Sequence, residues 1–177
     1  MKILKFAELD STSDEARRRY AELSDWTVIT AERQSRGRGQ GDHTWFTSDS
    51  KNLIFSIILK FSEGRFSSDA MRTLMDTISE GVCDYLRGRG VEPAIKFPND
   101  ILVRGIKICG ILIETFLTGK NITGAIVGIG FDLNETDFPQ ELRPTAVSLK
   151  ELTGGEYDRD IELETLLGHI RSRLEAI

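Results

Sequence analysis

The chain of 177 residues is long enough for a domain with its own apolar core, and 40% of its residues are hydrophobic. It carries 23 basic and 28 acidic side chains, and the formal charge of −5 is opposite in sign to the basic surface of a general nucleic-acid binder. No apolar run approaches the roughly 20 residues that span a bilayer, and the amino terminus lacks an apolar signal segment. We therefore expect a cytoplasmic protein that binds neither membrane nor nucleic acid.

The first third of the chain alternates between apolar stretches and polar connections. Alternation and β-branched or aromatic composition predict strands at residues 2–6, 26–32, 44–48 and 52–60. The polar stretch after the first strand predicts a helix to about Leu23, with Ser11 or Thr12 as its cap. Two hydroxyl groups at a helix start can instead hold a polar group of a ligand, so both roles remain open.

The stretch of residues 34–45, QSRGRGQGDHTW, joins two of these predicted strands. Its glycines stand at every second position and keep side chains away from the backbone, so bare amide groups can gather around an anion. Arg36 and Arg38 add forked donors for a phosphate or a carboxylate. The loop predicts capture of a small anionic ligand, first of all a nucleotide phosphate, and a solvated surface loop is the alternative.

The centre of the chain predicts a turn followed by a helix. Residues 61–68 have the composition of a turn, and the apolar residues of 68–87 recur at helical spacing as one core-facing stripe. The two cysteines of the chain, Cys83 and Cys109, lie in apolar patterns. They indicate reduced core residues rather than a redox pair or metal ligands.

A second informative stretch begins at Ala94. Residues 94–97 predict a strand, and Pro98 removes a hydrogen-bond donor from it. Asn99 and Asp100 are therefore expected at a bend or bulge, where polar side chains can be directed at a ligand. The apolar residues after the bend are expected to continue the same strand.

A hairpin is predicted next. The turn at Arg104–Gly105 leads into a long return strand with Gly110 in its interior, where a glycine commonly indicates close approach by a ligand or another backbone. Lys107 precedes Gly110 by three residues, so simple alternation places it on the opposite face unless a bulge intervenes. A second hairpin turn is predicted at residues 118–121.

The last part of the chain predicts one more strand and two helices. The strand covers residues 122–134, a short helix lies within residues 145–155, and an amphipathic helix with Asp160 as its cap covers residues 159–176. Strands in one group, with helices before, between and after them, predict an α+β fold. We expect a mixed, largely antiparallel sheet with helices on one face.

Four segments then stand out by their order and spacing. They are QSRGRGQGDHTW, KFPND at 96–100, KICGILIE at 107–114 and GIGFDLN at 128–134. Together they resemble the catalytic domain of biotin protein ligases, whose pattern is a GRG loop ending in Trp, a K-W-P-N-D segment, a K-x-x-G-I-L strand and a G-I-G-x-N end. An early S-T before a helix, here Ser11-Thr12, also matches, and the resemblance covers about residues 5 to 155.

The resemblance implies that the enzyme joins biotin to ATP with Mg²⁺, giving biotinyl-5′-AMP and pyrophosphate, and then passes biotin to a lysine of a biotin carboxyl carrier protein domain. The implied catalytic residues are Lys107, Arg38 and Lys96. The implied biotin-binding residues are Ser11, Thr12, Gln34, Gly37, Arg38, Lys107, Gly110 and Gly128. The implied ATP-binding residues are Arg38, Trp45, Lys96, Asn99, Asp100, Lys107 and Asp132, and Asp100 is also the implied ligand of Mg²⁺.

Elementary chemistry agrees with this set of residues. Forming an acyl-adenylate brings a carboxylate up to an α-phosphate, so cations must offset the repulsion between two anions. Lys96, Lys107 and Arg38 can do this together with Mg²⁺. Asp100 offers the kind of oxygen that Mg²⁺ prefers. The adenylate is itself the activated acyl group, so the reaction needs no nucleophile from the enzyme. His43 lies in the glycine-rich stretch, and we expect its side chain to be solvated.

Three positions depart from the family's pattern. Phe97 replaces the usual tryptophan and keeps an apolar aromatic side chain. Gln40 replaces a residue that is often basic, which predicts a changed rate of adenylate leakage rather than inactivity. Asp132 stands in place of asparagine, and an extra carboxylate near ATP would repel phosphates or recruit metal.

The resemblance also bears on organisation and partners. We expect one catalytic domain over residues 1–177, without the helix-turn-helix of bifunctional members and without the C-terminal SH3-like domain, as a short form or a truncated piece. The expected partners are biotin, ATP and a biotin carboxyl carrier protein, and a homodimer is considered. Two alternatives remain: a lipoate or octanoate ligase on the same fold, and a non-catalytic biotin- or nucleotide-binding module.

Overall fold

The computed structural model describes residues 1–41, 43–48, 50–62 and 64–177. Asp42 of the glycine-rich stretch, Asp49, and Glu63 of the predicted turn lie outside the described residues. The chain divides into two compact units. The first unit comprises residues 1–50, 54–72 and 111–130, and the second comprises residues 51–53, 73–110 and 131–177.

The described chain has groups of strands with helices before, between and after them. The strands are β1 (Lys2–Leu9), β2 (Thr27–Gln34), β3 (Leu53–Lys60), β4 (Phe66–Ser67), β5 (Pro93–Lys96), β6 (Asp100–Val103), β7 (Ile106–Thr118) and β8 (Asn121–Phe131). The helices are α1 (Thr12–Arg18), α2 (Met71–Gly88), α3 (Leu149–Thr153) and α4 (Arg159–Glu175). One 3₁₀ turn, Ser68–Ala70, leads into α2.

A mixed sheet forms the first unit, in the order β1, β2, β3, β8 and the second half of β7, with β4 paired to β8. β1 and β2 are parallel, which requires a crossover connection, and α1 lies in that connection. β2 is antiparallel to β3, and β4 is antiparallel to β8. β3 is buried at every position except Lys60, which confirms the predicted buried strand.

The second unit combines a small antiparallel meander with three helices. β5, β6 and the first residues of β7 follow one another in the meander, so the predicted mixed and largely antiparallel sheet is confirmed. α2 and α4 pack so closely at Gly81 that a Cβ added there would lie 2.7 Å from the Cα of Ile170. The Tyr85 hydroxyl also donates to the buried Glu162 carboxylate at 2.5 Å.

Two predictions about strands were wrong. Residues 44–48 form no strand in the part of the loop that the structure describes, where Thr44 makes an isolated bridge to Arg38. The chain also does not continue β5 after the predicted bend. It reverses at the cis peptide bond of Phe97–Pro98, and β6 returns antiparallel to β5. Proline and polar residues in succession favour a turn over a continued strand.

The ends of two helices differ from prediction. α1 ends at Arg18 rather than near Leu23, and turns follow it. The cap of α4 is Asp158 rather than Asp160, because the Asp158 carboxylate accepts from the amides of Asp160 and Ile161. Capping residues in succession offer alternative helix starts, and sequence alone does not choose between them.

Both predicted hairpin turns and the predicted state of the cysteines are confirmed. Arg104 and Gly105 have φ values of 53° and 80°, which suit a two-residue hairpin, and Gly119 in the β7–β8 turn has a φ of 60°. Cys83 and Cys109 are free thiols, and both are buried. In the described part of the chain, no helix combines the length and the apolar character needed to cross a membrane.

Candidate functional site

A β-bulge places a lysine on the polar face of β7. Asp100 of β6 pairs with Gly110 of β7. Two residues further along β6, Leu102 pairs with Lys107, which leaves Ile108 as the extra residue of a bulge. Paired residues share a face, as do residues two apart on one strand, so Lys107 joins Gly110 and Asp100. Simple alternation would place Lys107 on the face opposite Gly110, and the bulge puts both residues on the same face.

The bulge brings Lys107 into an ion pair. Its Nζ lies 2.6 Å from Oδ1 of Asp100, and both side chains remain partly exposed. Lys96 pairs with Asp100 across the β5–β6 hairpin and is exposed, and Asn99 in the same hairpin is half-buried. The second unit thus brings the predicted nucleotide-binding residues of β5, β6 and β7 close to Gly110, where the sequence indicated close approach by a ligand.

Asp132 differs from these exposed groups. It is 4% exposed, its Oδ1 accepts from the Asn52 amide at 3.1 Å, and its backbone amide donates to the Ile108 carbonyl. Burial above all, and then Glu135, raise the pKa of Asp132 well above its ordinary value, while Lys107 opposes the rise. The Asp132 side chain is thus packed inside the second unit, which separates it from the partly exposed Asp100 and Lys107.

A cluster of buried hydroxyl groups lies at the start of α1 in the first unit. Ser11 caps the helix by accepting from the Asp14 amide, so the capping role is confirmed for Ser11. The Thr12 Oγ1 lies 2.8 Å from the Ser56 Oγ, and the Thr12 amide donates to the Gln34 Oε1 at 2.7 Å. Thr12 and Gln34, which are far apart in sequence, are therefore in direct contact.

Two further members of this cluster were missed by sequence reasoning. Ser13 Oγ lies 3.0 Å from Ser56 Oγ, and both residues are buried. Gly128 of β8 faces them, since a Cβ added there would lie 2.5 Å from Ser13 Oγ. The signal that could have revealed Ser56 is its polar side chain in an otherwise apolar strand, because a buried hydroxyl needs a partner.

The glycine-rich stretch folds back on itself as a small hairpin. The Gly39 amide donates to the His43 carbonyl at 2.7 Å, and the Trp45 amide donates to the Gly37 carbonyl at 3.0 Å. A Cβ added at Gly37 would lie 2.7 Å from the Trp45 carbonyl oxygen and 2.8 Å from the Gln34 Nε2. The amides of Gly39 and Trp45 are used within the hairpin, so the predicted gathering of bare amides around an anion does not form at these two positions.

The end of the same stretch covers β8. The indole ring of Trp45 lies over Gly130, where an added Cβ would be 2.2 Å from the ring. Trp45 is half-buried, which is intermediate between a core residue and a ring fully open to a ligand. His43 and Gln40 are exposed, and the exposure of His43 agrees with its predicted solvation.

Arg38 is bound by two carboxylates. Its Nη1 donates to Asp14 Oδ1 at 2.6 Å, and its Nη2 donates to Glu114 Oε1 at 2.9 Å. Arg17 also donates to Glu114, at 2.7 Å. The bond to Glu114 foremost, and the bond to Asp14, raise the pKa of the Arg38 guanidinium. Sequence reasoning missed both acids, although Glu114 stands out as a charged residue in an apolar strand. Because Arg38 already binds Asp14 and Glu114, an anionic ligand of Arg38 has to share or replace these partners.

The donor set fits a magnesium ion that is shared with a substrate. Within the described ranges, no group of three or more His, Cys, Asp or Glu residues is arranged to hold a metal ion. Mg²⁺ does not need such a group when one or two carboxylates act together with substrate phosphates and water. Asp100, partly exposed beside Lys107, offers a carboxylate of this kind.

The chain belongs to the biotin/lipoate A/B protein ligase family, whose family model matches residues 4–132. Among its relatives, the bifunctional ligase/repressor BirA of Bacillus subtilis is 32% identical over 135 residues, which cover 75% of this chain and 41% of that protein. The biotin–[acetyl-CoA-carboxylase] ligase of Mycobacterium tuberculosis is 29% identical over 156 residues, which cover 85% of this chain and 54% of that protein. The chain thus spans about half the length of these relatives.

The fold is similar to that of a solved biotin protein ligase. The enzyme of Aquifex aeolicus, in complex with biotin and ATP, superimposes with a TM-score of 0.84 at 27% identity. The match covers 98% of this chain and 70% of that chain. The similarity agrees with the α+β fold expected from the grouping of strands and helices.

Proposed function

We propose that this chain is the catalytic domain of a biotin protein ligase. It activates biotin with ATP as biotinyl-5′-AMP and then transfers biotin to a lysine of a biotin carboxyl carrier protein. The observation that carries the proposal is the pair of Lys107 and Asp100 beside Gly110, formed by the bulge in a strand with the expected K-x-x-G pattern. Family membership and the names of the relatives support it.

The first step forms a bond between a biotin carboxylate oxygen and the α-phosphorus of ATP, and the bond to pyrophosphate breaks. Two anions approach each other, so fixed cations lower the barrier. We assign Lys107 and Lys96 to this role in the second unit, with Asn99 as a nucleotide contact. Asp100 would hold Mg²⁺, which supplies charge neutralisation on the phosphates when it is bound.

The polar groups of the first unit suit the ring of biotin. We assign Thr12, Gln34 and the buried hydroxyls around Ser56 to the ureido group, which needs hydrogen-bond donors and acceptors inside an apolar wall. Ser11 supports them as the cap of α1. The remaining biotin contacts that we assign are Gly37, Arg38, Lys107, Gly110 and Gly128.

Arg38 carries a further requirement in this proposal. It neutralises anionic groups of biotin and the nucleotide, with Trp45 as a second nucleotide contact. Its guanidinium donates to Asp14 and Glu114, so an anionic ligand either uses its remaining donors or replaces one of these carboxylates. Asp132 is withdrawn from the set of direct ATP contacts, because it is buried.

The second step needs no nucleophile from the protein. The amine of the acceptor lysine attacks the acyl carbon of the adenylate, and AMP leaves with the electron pair of the broken acyl–oxygen bond. The attacking nitrogen loses one proton to solvent as the amide bond forms. This fits the protein side chains, since both cysteines are buried.

Pyrophosphate release in the presence of biotin, ATP and Mg²⁺ tests the first step, and transfer of biotin to a carrier-protein domain tests the second. We expect both to depend on biotin. Isothermal titration should also show that biotin binds more tightly in the presence of ATP and Mg²⁺ than in their absence. Equal activity with lipoate would support the lipoate ligase alternative, and binding without pyrophosphate release would support a non-catalytic module.

A further inference from the structure

The backbone of Lys107 is held by a segment far from it in sequence. The Lys107 amide donates to the Thr145 carbonyl at 3.1 Å, and the Val147 amide donates to the Lys107 carbonyl at 2.9 Å. These bonds form a parallel bridge between Lys107 and Ala146. The stretch 145–147 therefore fixes the peptide planes on both sides of the Lys107 Cα, in addition to the pairing with Leu102.

That stretch is itself held by the start of α3. Ser148 caps the helix by accepting from the Glu151 amide at 3.2 Å, and the Ser148 amide donates to Glu151 Oε2 at 3.3 Å. The other oxygen of Glu151 accepts from Arg143 at 2.5 Å. The Glu151 carboxylate thus binds Ser148, which follows the stretch 145–147, and Arg143, which lies just before it.

The contact has more than a local effect on the helix. α3 has five residues, too few for a helix that is stable by itself, so its cap chiefly fixes the chain at its start. The following amides extend the attachment, because Leu149 donates to the Asp132 carbonyl and Lys150 donates to the Leu133 carbonyl, both at 2.9 Å. Glu151 is therefore the side chain that ties the residues on both sides of the stretch 145–147 to this anchored helix start.

We propose that Glu151 is a positioning residue for Lys107, which acts through the backbone of residues 145–147. This inference rests on the proposed function, in which the Lys107 ammonium meets the reacting phosphate. The bulge at Ile108 makes the direction of Lys107 depend on local backbone geometry, and the stretch 145–147 stabilises that geometry. Loss of the Glu151 carboxylate frees the stretch and displaces the ammonium group.

The test compares Glu151→Ala with Glu151→Gln and with Asp158→Ala. Misplacement of a reacting group by about 1 Å costs on the order of 100-fold in rate, so Glu151→Ala should lower kcat for pyrophosphate release by about 10- to 100-fold. KM for biotin should rise by a smaller factor than kcat falls, because Lys107 is only one of several assigned biotin contacts. Glutamine at the same position also closes a capping box, so Glu151→Gln should retain most of the turnover.

Asp158→Ala is the matched control, because it removes the N-cap of α4 in the same unit. Both alanine variants should lower the melting temperature, since Glu151→Ala loses the reciprocal bond of the capping box of α3 and Asp158→Ala loses the N-cap of α4. Turnover by Asp158→Ala should equal that of the unchanged protein. Unchanged kcat in Glu151→Ala, or an equal fall in both alanine variants, would overturn the positioning role.

Hydrogen exchange separates this inference from the proposed function. The Lys107 and Val147 amides should exchange faster in Glu151→Ala than in the unchanged protein, whereas Asp158→Ala should leave them as they are. Absence of pyrophosphate release from the unchanged protein would refute the proposed function, while the exchange rates would still decide whether Glu151 holds the backbone of Lys107. Equal exchange in all three proteins would overturn the inference.

Discussion

Lys107 shows how a single backbone irregularity determines the chemistry of a residue. Without the extra residue at Ile108, side chains would alternate regularly along β7, and Lys107 would lie on the face opposite Gly110. With the bulge, its ammonium group reaches the Asp100 carboxylate at 2.6 Å. Both side chains of the pair remain partly exposed, so a phosphate can approach the lysine.

Lys107→Ala is therefore expected to impair adenylation more than binding. Loss of one charge-stabilising donor costs roughly 2.7–4 kcal/mol in the transition state, or about 100- to 1,000-fold in kcat. Single-turnover release of pyrophosphate measures this. Lys120→Ala, at an exposed position of the β7–β8 turn, is the control and should retain full activity. Near-normal turnover of Lys107→Ala would show that the role belongs to another residue.

Asp132→Asn is expected to stabilise the protein near neutral pH. The pKa of Asp132 is raised above its ordinary value of 3.8, so the folded state holds the proton more tightly than the unfolded state. Ionisation of this group therefore reduces stability as the pH rises above 3.8 towards the folded pKa. Asparagine keeps the acceptor for Asn52 and removes this cost. Thermal melts should show a gain at neutral pH that shrinks as the pH falls towards 3.8.

The control for this substitution is Asp137→Asn, at an exposed position of the same loop. It removes a carboxylate from the same region, but one that folding leaves in water. It should produce no gain with this pH dependence. A gain from Asp132→Asn that is equal at every pH would mean that packing, rather than the cost of a buried charge, is responsible.

At the scale of elements, the contact between α2 and α4 depends on one missing side chain. Gly81 has no space for a Cβ because of the Ile170 backbone, whereas a Cβ at Gly168 of α4 would meet nothing within 4 Å. The two helical glycines therefore have opposite roles. One permits close packing, and the other only loosens its helix.

Gly81→Ala and Gly168→Ala should shift stability in opposite directions. Overpacking at Gly81 should cost about 1–3 kcal/mol. Replacing Gly168 should add about 0.5–1 kcal/mol, because alanine has the higher helix propensity. Urea unfolding of both variants measures the difference. Stabilisation by both would show that the helices can separate without cost.

Sequence patterns predicted the elements well where burial alone decides them. β3, β7 and α2 carry long apolar signals, and the structure has them near the predicted limits. The failures lie where a turn competes with a strand. Phe97–Pro98 reverses the chain, and residues 44–48 pair within their own loop instead of joining a sheet. Such outcomes depend on tertiary contacts that local propensity does not contain.

The candidate site was predictable only in part. Motif spacing indicated Lys107, Asp100 and Gly110 together, although only the register of β6 and β7 explains how they share a face. Asp14 and Glu114 were not predictable as partners of Arg38, since they come from distant parts of the sequence. The charge of Glu114 within an apolar strand indicates that it has a partner, but which residue that is depends on the fold.

At the scale of the whole molecule, ligand specificity can be read from stability. A ligand that binds only the folded state adds about 2.7 kcal/mol at 100 times its Kd. We expect biotin to raise the melting temperature in proportion to the logarithm of its concentration, and lipoate to have no such effect. Differential scanning fluorimetry with both acids measures this. A larger shift with lipoate would contradict the proposed substrate.

The division of the chain into two interleaved units has a consequence for its synthesis. Each unit is assembled from three separate stretches, and β7 passes from one unit to the other between Gly110 and Ile111. On the ribosome, the first unit stays incomplete until residue 130 has emerged, and the second waits for the last helix. No single cut in the gene yields either unit as a continuous fragment, so the nascent chain must complete most of its length before either core can close.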